Sequence, residues 1–150
     1  MLPRPRMFSR FAQSTSLRLL AAIAVAMPAL AGASNAERTA SLAEVTNLTF
    51  RQEVIEDSMN RLVLLEFYAD WCGPCKTIAP ALAQMAETYR GRVDIRRVNV
   101  DTDSELSHRY HVRGIPRLLL IRNGVTVGTI AGAESGTQLK DWLDAYLKTP

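Results

Sequence analysis

The chain has 150 residues, 18 of them basic and 15 acidic, with only two cysteines and two histidines. All the acids lie at Glu37 or beyond, so the basic excess resides in Arg4, Arg6, Arg10 and Arg18, and residues 37–150, with 14 basic and 15 acidic side chains and no basic run, lack the footprint of nucleic-acid binding. Those 114 residues suffice for one compact domain with its own core and not for two.

The four leading arginines precede an apolar run over residues 19–33, "LLAAIAVAMPALAGA", in the charge order of a secretory signal. The run is shorter than the roughly 20 residues that span a bilayer, and Pro28 interrupts it. Small residues in "ALAGASNA" offer cleavage after Ala31, Ala33 or Ala36. The expectation is a signal peptide over residues 1–36 and a domain over 37–150 that is exported, to a periplasm or otherwise outside the cytoplasm. A mitochondrial transit peptide is the alternative, because the segment contains Arg and Ser and no acid; its continuous apolar block favours the signal.

"SLAEVTN" suits an edge strand. Thr49, with Gln52 three residues on, reads as a capping box that opens a short helix through Asp57. "RLVLLEFYA", residues 61–69, is a nearly continuous apolar run, expected of a central parallel strand buried on both faces. From Cys72 the period changes: Ile78, Leu82, Met85, Ala86 and Tyr89 share one helical face, with a stop near Gly91 and Pro80 as an expected kink. "RVDIRRVNV" predicts the next strand, with one of Arg96 and Arg97 facing solvent. Asp101 to Asp103 follow as turn and cap of a short helix bearing Leu106 and Tyr110. "IPRLLLIRNGVTVGTI" predicts two strands joined at Asn123-Gly124, and Ser135 with Gln138 caps a last helix carrying Leu139, Trp142, Leu143, Tyr146 and Leu147. The order β-α-β-α-β-α-β-β-α demands an α/β fold, a mixed sheet covered by helices.

Both cysteines fall in "EFYADWCGPCK", where the buried strand gives way to the helix. As a structural staple the pair is poorly placed: closing a loop of four residues recovers about 2 kcal/mol, against about 4.7 for a loop of 100. As half of a zinc site it lacks partners, since His108 and His111 have two residues between them rather than the three to five of a zinc finger; they are read as decorating the short helix. As a reagent it is well placed, because a thiol at the first turn of a helix meets unpaired N–H groups and the positive end of the helix dipole. Cys72 takes that position and Cys75, one turn further in, is more shielded. Pro74 sets φ in the first turn, and Gly73 leaves room for a partner's backbone.

Through "YADWCGPCKTIAP", "VNVD", "RGIP", "NG" and Gly132, in that order, the chain resembles the thioredoxin family from about Val45 to Leu147. The resemblance implies the thioredoxin fold and thiol–disulfide exchange in which Cys72 attacks a protein disulfide and Cys75 resolves the mixed disulfide. It also implies a cis peptide at Pro116, packed beside the cysteines, and pairing of an extended substrate segment with the backbone at Ile115. Trp71, Gly73, Pro74 and Gly132 would border the same surface. Departures from the family pattern are Glu66 where an aspartate is usual, Arg97 where a lysine is usual, Tyr68 where tryptophan is common, and Arg117 where threonine often follows the proline. A carboxyl group in an apolar strand should hold its proton to higher pH, which makes Glu66 a candidate proton acceptor for Cys75; firm pairing with Arg97 would keep it ionised, and the bland alternative is a strand-end carboxylate turned to water.

The function these features imply is a monomeric protein-disulfide reductase fed by a membrane thiol-transfer electron donor, since an exported reductase lacks a soluble pyridine-nucleotide supply. A disulfide oxidase or isomerase is the alternative enzyme, and a non-redox assembly module that uses the same groove is the alternative outside enzymes. No cofactor is expected: the chain has no nucleotide-binding glycine fingerprint, no metal cluster, and Lys76 rather than His after Cys75, which excludes haem attachment.

Overall fold

The computed structural model describes residues 42–148; the expected signal peptide and its cleavage positions lie outside the described residues. The apolar run predicted to be central becomes β2 (Leu62–Tyr68), buried at every position. It runs parallel to β3 (Val93–Asn99) on one side and antiparallel to β4 (Arg117–Arg122) on the other. Beyond β4 lies β5 (Val125–Ala131), and beyond β3 the two-residue β1 (Ala43–Glu44), giving the order β1-β3-β2-β4-β5. Asn123 and Gly124, both at positive φ (52° and 75°), make the tight β4–β5 turn that Asn-Gly favours.

Alternation along β2 divides the core. Leu62 and Leu64 meet Ile78, Leu82 and Met85 of α1 (Gly73–Thr88) and Leu139 and Leu143 of α3 (Gly136–Leu147). Val63, Leu65 and Phe67 point the other way, toward Phe50, Val54 and Leu106. Leu106 belongs to α2 (Ser104–Arg109), which Asp103 caps by accepting the Leu106 N–H at 3.1 Å. The capping box on α3 forms as expected, with Ser135 Oγ accepting from Gln138 N–H and the Gln138 side chain accepting from Ser135 N–H.

Three expectations are corrected. The first helical segment, wide π-type turns over Arg51–Glu56 followed by a 3-10 turn over Asp57–Met59, has no Thr49/Gln52 capping box. Helical turning begins earlier, because the Thr46 carbonyl accepts the N–H groups of Thr49 and Phe50, and Thr49 Oγ1 reaches back to Thr46 N–H; burial of Phe50 fixes that start. Neither arginine of β3 simply faces solvent. Both faces of the strand are covered, so Arg96 pairs with Glu53 and Asp57 while Arg97 pairs with Glu66. Finally, His111 does not ride on α2: the helix ends at Arg109, and His111 turns out of it with φ 51°.

Candidate active site

The chain leaves β2 at Tyr68 and enters α1 at Gly73, and the intervening turn carries the thiol chemistry. Cys72 is the N-cap of α1, its extended backbone (φ −75°, ψ 102°) turning the chain into the helix. Its sulfur accepts the Cys75 N–H at 3.2 Å, an orphan donor of the first turn. Pro74 occupies that first turn, where a missing N–H costs nothing. Cys72 and Cys75 are joined as a disulfide with Cα atoms 5.3 Å apart. Cys75 is fully enclosed and Cys72 is 3% exposed, so the order of shielding inferred from their positions holds, although both lie deeper than a surface thiol. Tyr68 and Ala69 pack on the pair, with Val100 and Ile115 at its edge.

The surface around the pair is assembled from three separate loops. Trp71 projects with 69% of its surface exposed and donates its indole N–H to Asp101 at 2.8 Å, a bond that ties the turn before α1 to the turn after β3. Against the pair also packs Ile115, whose peptide bond to Pro116 is cis. Pro116 is buried, and Ile115 precedes the β2–β4 ladder, whose first pair is Phe67 with Arg117. Gly132, at φ 89°, donates its N–H to the Pro116 carbonyl at 2.9 Å and so holds the end of β5 against the same loop. A side chain at Gly73 would meet nothing within 4 Å, so the face beside the disulfide stands open. Trp71, Gly73 and Pro74 thus stand exposed beside the cysteine pair, Ile115 packs against it, and the buried Pro116 follows in the same loop with Gly132 bonded to its carbonyl.

Glu66 lies beneath it. Its residue position on β2 shares a face with Leu64 and Tyr68, the side covered by α1, and its side chain is completely buried. Arg97, directly opposite on β3, donates from Nε to Glu66 Oε2 at 2.7 Å and lays its guanidinium 3.5 Å from the Tyr68 ring centre. Glu66 Oε1 has no hydrogen-bond partner. The bland reading, a carboxylate turned to water, is therefore wrong, because β2 is covered along its whole length. Burial raises the Glu66 pKa above the ordinary 4.5, and the Arg97 charge and hydrogen bond offset that rise only in part. Arg117 Nε is also buried without a partner. Its neighbour in the loop, Arg113, was not singled out from the sequence; the signal was the spacing of two arginines on either side of Pro116 in "RGIPR".

Comparison with known proteins agrees with this geometry. The thioredoxin family model matches residues 41–145. Thioredoxin of Buchnera aphidicola subsp. Baizongia pistaciae is 41% identical over 110 residues, covering 73% of this chain and 99% of that protein. Thioredoxin 1 of Synechococcus elongatus is 40% identical over 105 residues (70% and 96%), and thioredoxin of Pseudomonas aeruginosa 39% over 106 (71% and 96%). With a cysteine pair at a helix N-terminus, a cis-proline loop beside it and this extent of similarity, the chain belongs to the thioredoxin family and is a thiol–disulfide oxidoreductase.

Proposed function

We propose that the protein is an exported protein-disulfide reductase, working as a monomer in a periplasm or comparable compartment. The observation that carries the reading is the Cys72–Cys75 pair itself, with Cys72 at the rim of the open surface and Cys75 enclosed behind it. In the reduced protein the Cys72 thiolate, favoured by the Cys75 N–H and the helix N-terminus, attacks one sulfur of a client disulfide. The client S–S bond breaks, one client thiolate leaves and takes a proton, and Cys72 is left in a mixed disulfide. Cys75 then loses its proton and attacks Cys72, releasing the second client thiol and forming the intramolecular disulfide present here. Two electrons and two protons pass to the client. Glu66, buried on the α1 side of the sheet with one free oxygen, is the proposed acceptor for the Cys75 proton.

Reduction potential distinguishes a reductase from an oxidase. Titration against a glutathione buffer should give a value near −270 mV, the reducing anchor of this chemistry, rather than near −120 mV, that of a strong oxidant. The second value would replace the reductase with a disulfide donor. Export is supported by the Arg-then-apolar order of residues 1–36 and predicts a protein recovered from cells with a new N-terminus after Ala31, Ala33 or Ala36, determined by intact mass. An unprocessed chain retained in the cytoplasm would sink that part. A reductase in such a compartment requires a membrane dithiol donor that reduces the Cys72–Cys75 disulfide after each cycle. Alkylation of freshly lysed cells should accordingly find the pair reduced; a pair found wholly oxidised in growing cells would speak against that supply.

A further inference from the structure

The groove beside the disulfide is charged asymmetrically. On the Trp71 side stand Asp70 and Asp101, the latter held by the indole N–H. On the Pro116 side, His111, Arg113 and Arg117 line a cleft of about 890 Å³ together with Ile115 and Gly132, and no acidic residue lines it. Arg51, Arg61, Arg90, Arg96, Arg97 and Arg109 each have a carboxylate partner, whereas Arg113 and Arg117 form no ion pair among the described residues. Arg117 further keeps its Nε buried with no acceptor among the described residues. Between the two arginines lies Ile115, whose backbone precedes the sheet ladder.

We infer that the Arg113 and Arg117 side of the groove selects clients whose target cysteine sits in an extended segment bearing Asp or Glu beside it. This rests on the reductase reading and adds a substrate class to it. An extended segment laid along Ile115 presents alternate side chains to the same wall of the cleft, where a carboxylate meets the two unpaired guanidinium groups. Attraction of this kind acts on the encounter and the register of the complex, so the preference should fall as salt rises. Arg113 and Arg117 are specificity residues in this account and touch neither sulfur.

The test uses prereduced protein in single turnovers with two peptides that contain the same internal disulfide, one with Glu and one with Gln on both sides of the first cysteine. At low salt the Glu peptide should react about three- to tenfold faster, as expected for two partly exposed charge pairs. Arg113→Gln alone, at an exposed loop position, should reduce that ratio, and Arg113→Gln with Arg117→Gln should bring it to about one. Arg90→Gln, the same change of charge at the far end of α1, should leave it intact. Hydroxyethyl disulfide, small and uncharged, is run alongside. Equal rates for the two peptides, or a preference that survives both Arg113→Gln and the double variant, overturn the inference while reduction of hydroxyethyl disulfide still supports a reductase. A prereduced protein that reduces neither the peptides nor hydroxyethyl disulfide overturns both.

Discussion

Cys72→Ser should abolish reduction of protein disulfides, a loss of at least about a thousandfold, because one sulfur is both the nucleophile of the first step and the atom that Cys75 attacks to release the client in the second. Cys75→Ser should behave differently. Its Cys72 thiolate still attacks, but the mixed disulfide has no internal partner to break it, so the protein should accumulate as covalent client adducts that dithiothreitol releases. Mass spectrometry of the trapped species, before and after reductant, separates the two outcomes. The asymmetry follows from the positions: Cys72 caps α1 at the rim of the open surface, whereas Cys75 is wholly enclosed. Equal trapping through either cysteine would reject the assigned order. Full biological activity in a double Cys→Ser protein would favour a non-redox assembly role.

Arg97→Met should be the most destabilising change near the site. Removing one partner of a buried pair leaves the other charge uncompensated, at a cost of about 3 kcal/mol at neutral pH, or roughly 10–20 °C in Tm for a domain of this size. The size of the penalty should depend on pH in a particular direction. Glu66 already has a raised pKa in the folded protein, so between its ordinary value of 4.5 and that raised value the native state holds a proton that the unfolded chain has released. Its contribution to stability is therefore fully present below 4.5 and is lost as pH rises through the folded value. Without Arg97 the folded value rises further and the window widens. Urea unfolding of Arg97→Met should consequently show a penalty that shrinks as pH falls and the buried Glu66 takes up its proton, and Glu66→Gln should flatten the pH dependence. A penalty below about 1 kcal/mol, or one independent of pH, would show that Glu66 is not a charge kept buried by its partner. Loss of the Arg97 stacking on Tyr68 contributes at all pH values and does not mimic that slope.

Much of the architecture could be read from residue periodicity alone. The unbroken apolar run at residues 61–69 required cover on both faces, and β2 is buried at all seven positions. The helical spacing from Ile78 to Tyr89, the Asn123-Gly124 turn and the Ser135/Gln138 cap are local signals that no tertiary contact opposes. Thr49 and Gln52 gave an equally good local signal, yet the helix begins from Thr46, because burying Phe50 outweighs the roughly 1 kcal/mol a capping box contributes. Parallel or antiparallel pairing on each side of β2, and the edge positions of β1 and β5, depend on contacts between distant segments.

The site divides along the same line. Two cysteines three residues apart at a strand-to-helix junction identify thiol chemistry in sequence, because helix geometry by itself places both sulfurs at one N-terminus. Their neighbours were marked by the resemblance carried in "RGIP" and Gly132 and by no local periodicity, since the Pro116 loop, Gly132 and the Trp71–Asp101 bond meet only after β3, β4 and β5 have assembled beside β2. Glu66 shows the limit most clearly. As a letter in an apolar strand it was compatible with a water-facing carboxylate, a proton acceptor or an ion pair, and only the register that sets it opposite Arg97, under the cover of α1, made it a buried, half-satisfied and paired carboxylate. Local chemistry along the chain was decided by sequence; charge compensation and access were decided by which segments the fold brought into contact, since desolvation and Coulomb energy depend on neighbours in space.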